Sequence, residues 1–115
     1  MIGDIWYRFI DNEYQGGWGG PEWKIICVEL RVVEETHATV VLARSKQIYP
    51  DGEIPDWAER KRVLKSARRR FAYPTKALAL NSYRHRKDWQ ISHAARTLAR
   101  AEACRAAVAV VEGLI

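Results

Sequence analysis

Hydrophobic and polar positions alternate along the first half of the chain and recur at three- and four-residue steps in the last third, which predicts a sheet followed by a helix. Asp4 to Ile10 is rich in aromatic and β-branched residues and reads as a first strand ending at Asp11-Asn12. The glycines and proline of Gln15-Gly16-Gly17-Trp18-Gly19-Gly20-Pro21 weaken both helix and strand and predict irregular backbone, with Trp18 as a lid or interface residue. Trp23 to Val33 reads as a long strand. Lys24, Ile26, Val28, Leu30 and Val32 share its core face, and Ile25, Cys27, Glu29 and Arg31 the other. Glu34 to His37 predicts a hairpin connection, and Thr39 to Arg44 the returning strand, with Val40 and Leu42 on one side.

Two prolines and a glycine place Tyr49 to Asp56 in a surface loop. Arg60 to Leu64 and Arg68 to Tyr73 are expected to form a second hairpin around Lys65-Ser66-Ala67, a helix from Asp56 through Arg70 being the alternative. From Thr75, the expected N-cap, to Glu112 there is neither proline nor glycine, and alanines are abundant. Leu80, Tyr83, Ile91, Ala94, Leu98, Ala101, Cys104, Val108 and Val111 form an apolar stripe along this helix. A helix of this length outruns a small domain, so it either breaks near Lys87-Asp88 or packs its apolar end on a copy of itself, which predicts a homo-oligomer. The expectation is an α+β fold in one domain: an antiparallel sheet of about five strands over residues 1–74, then one long helix over 75–112.

Charge changes the picture. Residues 1–59 carry 5 basic and 11 acidic side chains, and residues 60–115 carry 14 basic and 3 acidic, so an overall +5 conceals a strongly basic second half. Such polarity points to an anionic partner, or to self-association through opposite faces. No run reaches the roughly 20 apolar residues of a membrane span, and Met1 to Arg8 has an acid inside its apolar run and no basic leader, so a cytoplasmic protein with no membrane partner is expected. Cys27 and Cys104 read as two core thiols of a strand and a helix.

The stretch Arg68-Arg69-Arg70-Phe71-Ala72-Tyr73-Pro74-Thr75-Lys76 combines guanidinium groups that pair with phosphate, rings on which a base stacks, and a helix start whose N–H groups favour anions. Strand alternation sets Arg69, Phe71, Tyr73 and Thr75 on one side, and Asn81 follows about a turn and a half into the helix, within reach of a shared pocket. Arg44 at a strand end, with Lys46 beside it, and Arg96 and Arg100 on the helix supply further donors. Solvated arginines and core aromatics are the alternative to each of these roles. His37, His85 and His93 lack the spacing of a metal pair, the acids of residues 51–59 lie in or just after a loop, and no serine sits in a nucleophile context, so neither a metal, a cofactor nor catalysis is expected.

Arg69 through Tyr83, with Arg86-Lys87 and the Leu98-Ala99-Arg100-Ala101-Glu102 helix, resembles small phage and prophage proteins, in particular the first family of Thoeris anti-defence proteins. These are sponges that sequester cyclic ADP-ribose isomers, and sometimes cyclic oligonucleotides, made by bacterial immune enzymes. The resemblance implies a protein of the host cytosol that is a dimer or larger homo-oligomer and binds a small anionic cyclic nucleotide near protomer interfaces without cleaving it. It maps the binding aromatic to Phe71, the asparagine to Asn81, the strand arginine to Arg44 or Lys46, and the helix arginine to Arg96 or Arg100. Phosphates would then meet Arg44, Arg69 and Arg100. A basic nucleic-acid-binding accessory protein is the alternative that the charge distribution supports.

Overall fold

The computed structural model describes residues 1–16 and 18–115. Among these residues four strands, β1 (Ile5–Gly16), β2 (Gly20–Glu35), β3 (Thr39–Arg44) and β4 (Arg60–Leu64), form one antiparallel sheet in the order β1-β2-β3-β4, with a 3-10 turn at Ser45–Gln47 and then one α-helix, α1 (Lys76–Leu114). This is the expected α+β architecture, with four strands rather than about five. The chain divides into two compact units, Met1–Tyr83 and Arg84–Ile115. No helix among the described residues is long and apolar enough to cross a membrane.

The core lies on the face that the period-two pattern marks. Trp6 stands opposite Leu30, Val32 opposite Leu42, and Val40 opposite Val63, so side chains from all four strands enter a common cluster, joined by Ala72. Leu42, Val32 and Val40 are the largest fully buried side chains. Burial of each contributes about 1.5–3 kcal/mol. β3 is interior to the sheet and is buried on both faces, since Val41 and Ala43 are also shielded. The β2–β3 ladder shifts register between Val32 and Glu34, a local bulge that bends β2. Thr36 and Thr39 close the connection between them: the backbone N–H of Thr36 donates to the Thr39 carbonyl at 2.8 Å, and their hydroxyls lie 2.7 Å apart.

Two expectations are corrected. The glycine-rich stretch is not wholly irregular: β1 continues to Gly16 and β2 begins at Gly20, with Gln15 opposite Pro21 and Gly16 opposite Gly20. The ladder extends this far because Pro21 sits at the hairpin end, where its missing N–H costs least, and Gly20 adopts φ +83, a conformation open to glycine. Gly17 lies outside the described residues, and Trp18 is fully exposed.

The second hairpin is also absent. β4 pairs with β3, whereas Arg68–Ala72 is irregular and only Tyr73 makes a bridge, to Tyr7 of β1, through backbone hydrogen bonds of 2.7 and 3.0 Å. Local bonds compete with a ladder here. Arg70 Nε donates to the Ala67 carbonyl at 2.8 Å, and the Arg70 N–H donates to the Tyr73 hydroxyl at 3.2 Å, folding the segment on itself before Pro74.

Thr75 caps α1 as expected, its hydroxyl accepting the N–H of Leu78 at 3.2 Å. Thr75→Ala is expected to cost about 1 kcal/mol of stability, read as a lower midpoint in urea unfolding, while Thr75→Ser costs a few tenths. α1 is continuous over 39 residues, about 58 Å, and does not break at Lys87-Asp88. Ala79 is its only buried residue, and every position from Asp88 to Ile115 is exposed. Cys104 is therefore not a core thiol in the single chain, whereas Cys27 is half-buried and burial pushes its thiol pKa up.

Candidate functional site: a basic groove beside Phe71

Antiparallel register, rather than closeness in sequence, assembles the site. Leu30 pairs with Arg44 across β2 and β3, and Leu42 pairs with Lys61 across β3 and β4. Side chains opposite one another share a face, so Arg44 and Lys61 rise from the core face at the border of the apolar cluster. Phe71, from the irregular segment after β4, packs against the same cluster. Together with Leu30, Leu42, Glu59 and Arg60 they line a groove of about 340 Å³, on the scale of a small-molecule site.

Three cations and one carboxylate therefore surround an apolar floor. Arg44 Nε lies 3.6 Å from Glu59 Oε2, but both side chains are exposed, so this pair is weak and its arginine is available to a competing anion.

The Phe71 ring is the other focus. The Arg8 guanidinium carbon lies 4.3 Å from its centroid and the Lys61 ammonium nitrogen 5.5 Å. Arg8 Nη1 also donates to the Phe71 carbonyl at 2.7 Å, which ties β1 to the segment that carries the ring. Arg8 is in phase with Trp6 on β1, and Lys61 is in phase with Val63 on β4. A lone cation at a core-face position was thus the available signal for both residues, which the charge-run reading of the sequence passed over.

The expected ligand residues separate into groups. Arg44 and Phe71 come together in the groove. Arg69 is exposed in the segment before Phe71. Tyr73 bridges β1 through its backbone and accepts a hydrogen bond at its hydroxyl, and the Arg70 guanidinium lies 5.5 Å from its ring, so it holds the segment in place. Thr75 caps the helix. Asn81 is exposed in the second turn of α1. These first turns are anchored to the face that carries Tyr7 and Asp11, with Lys76 Nζ 5.5 Å from the Tyr7 ring and the Tyr83 hydroxyl donating to Asp11 at 3.1 Å. That face is opposite the one bearing Arg8 and the groove floor, so Asn81 does not line the groove.

Arg96 and Arg100 belong to the second unit. With His93 and Thr97 they line a shallow depression on the helix surface, and the His93 ring stacks on Trp89 with centroids 5.1 Å apart. No protein-family model, curated protein or solved structure matches the chain.

Proposed function

We propose that the groove beside Phe71 binds a compact, multiply charged anion with a stackable ring, a cyclic nucleotide, and retains it without cleavage. The observation that carries the reading is the meeting of one aromatic ring with Arg8, Arg44, Arg60 and Lys61 over an apolar floor. Guanidinium and ammonium groups supply charge-assisted hydrogen bonds to phosphate, and a partly buried ring offers a face to a base. Leu30 and Leu42 exclude water from beneath the ligand and strengthen each of those contacts.

What lines the groove favours retention without chemistry. Its residues include no serine, cysteine or histidine, and its one carboxylate, Glu59, faces Arg44. General acid–base hydrolysis needs a proton donor and acceptor placed around the scissile bond, and a single ion-paired carboxylate does not provide both. The cyclic form of the ligand rests on the resemblance of Arg69 to Glu102 to sponge proteins. On that reading the protein acts in the host cytosol, removing an immune signal before it reaches its effector.

Arg44→Ala and Lys61→Ala each remove a charge-assisted contact of about 1.5–3 kcal/mol. Each is expected to weaken binding of a cyclic dinucleotide or cyclic ADP-ribose isomer by roughly ten- to a hundredfold in calorimetric titration, with the unfolding midpoint unchanged. Unchanged affinity in both would remove the groove from consideration. The same titration with a single-stranded oligonucleotide tests the rival reading: a steep loss of affinity with salt, and a footprint of several nucleotides, would favour nucleic-acid binding.

A further inference from the structure

Among the side chains that line the groove, Arg44, Arg60 and Lys61 only donate hydrogen bonds, and Leu30, Leu42 and Phe71 make none. Glu59 is its one side-chain acceptor. A carboxylate repels phosphate, so within a basic groove it weakens binding unless it meets a donor on the ligand. The neighbouring cations do not need it, since among the described residues neither Arg60 nor Lys61 is ion-paired and both are left to the phosphates.

The fold holds Glu59 at this rim. Its backbone N–H donates to Gln47 Oε1 at 3.1 Å, and the buried Ala58 before it closes a turn by donating its N–H to the Pro55 carbonyl at 3.0 Å. β4 begins at the next residue. The carboxylate itself has acceptor capacity to spare. Arg44 Nε stands 3.6 Å away, beyond ordinary hydrogen-bond distance, so both oxygens keep lone pairs for a ligand.

We infer that Glu59 reads the base, and that the groove prefers guanine to adenine. This specificity rests on the cyclic-nucleotide reading of the groove and adds which purine that nucleotide carries. The pairing edge of guanine sets the N1–H and the N2 amine side by side, two donors that a carboxylate meets with two parallel bonds, as it meets a guanidinium. The same edge of adenine places the N1 lone pair beside the N6 amine, so one carboxylate oxygen faces another acceptor. A charged acceptor strengthens the matched bonds and sharpens the mismatch. Phe71 stacks either purine, so the ring supplies affinity and Glu59 the choice.

The wild-type chain and Glu59→Gln are titrated calorimetrically with the cyclic dinucleotides of guanosine, inosine and adenosine, which carry the same phosphates and differ in the purine edge. Wild type is expected to bind the guanosine form at least about tenfold more tightly than the adenosine form. The inosine form, which keeps N1–H and lacks the amine, falls between them. Glutamine presents one acceptor and one donor, the complement of adenine, so Glu59→Gln is expected to lose the guanine preference and to bind the adenosine form more tightly than wild type does. Because Glu59 is exposed, the unfolding midpoint is expected to stay unchanged. Equal wild-type affinities for the three forms would overturn the role of Glu59, as would a Glu59→Gln protein whose affinities rise together with their ratio unchanged. The groove reading survives either result if Arg44→Ala still weakens all three. Binding of a cyclic ADP-ribose isomer but of none of the three would overturn the guanine preference alone, and binding of neither class would overturn the groove reading with it.

Discussion

A Phe71→Ala protein is expected to lose retention of a cyclic nucleotide on a desalting filter, while Phe71→Tyr keeps it. Stacking of a base on an aromatic ring is worth about 1–3 kcal/mol, and the substitution removes more than that surface. The ring also holds the Arg8 guanidinium at 4.3 Å and the Lys61 ammonium at 5.5 Å. Without it both cations return to solvent and lose the orientation that sets them along one groove, a loss of about 0.5–2 kcal/mol for each contact. The combined effect is a fall in affinity of at least about a hundredfold. Tyrosine preserves the ring face and isolates stacking from packing. Because Phe71 is only partly buried and lies at the border of the cluster, Ala is expected to leave the sheet folded, checked by an unchanged urea slope.

The second large effect concerns stability. Trp6 is 7% exposed and stands opposite Leu30 on the core face, in the cluster completed by Val32, Val40, Leu42, Val63 and Ala72. Trp6→Ala opens a cavity that neighbouring strands, fixed by ladder hydrogen bonds, close only in part, and costs about 3–5 kcal/mol. Small domains are stable by roughly 5–15 kcal/mol, so this one change removes a large fraction of the total. Equilibrium urea unfolding is expected to show a much lower midpoint with the slope retained. Trp6→Phe, which keeps an aromatic ring in the cluster, is expected to restore most of the loss.

Strand faces were legible in the sequence wherever one side is buried and the other solvated. Leu30 and Val32 on β2, and Val40 and Leu42 on β3, fall where alternation places them, and Thr39–Arg44 has the expected bounds. α1 was legible from its lack of breakers and from the Thr75 cap. The Arg68–Tyr73 strand failed because Arg70 satisfies the local backbone through Ala67 and Tyr73, a competition between side chain and ladder that composition does not reveal. The glycine-rich hairpin failed for the opposite reason: propensity is a weak prior, and a ladder already running from Ile5 carries poor strand formers with it.

The site divides along the same line. Phe71 and Arg44, which both line the groove, were singled out by residue type, since an aromatic among arginines and a cation at a strand end are visible without coordinates. Arg8, Lys61 and Glu59 required the register, because β1, β4 and the segment before β4 meet only through pairing across the sheet. Asn81 was placed with Phe71 on helical spacing and on the resemblance, and the helix instead starts on the face of Tyr7 and Asp11.

The most direct test of the central claim is to incubate the purified protein with cyclic ADP-ribose isomers and cyclic di- and trinucleotides, remove free ligand by filtration, and release what remains by heat for mass analysis. Recovery of one species intact and in fixed stoichiometry from the wild-type chain, but not from Phe71→Ala, is the result the groove predicts. Recovery of an altered product, equal recovery from both chains, or retention of none of these ligands would contradict it.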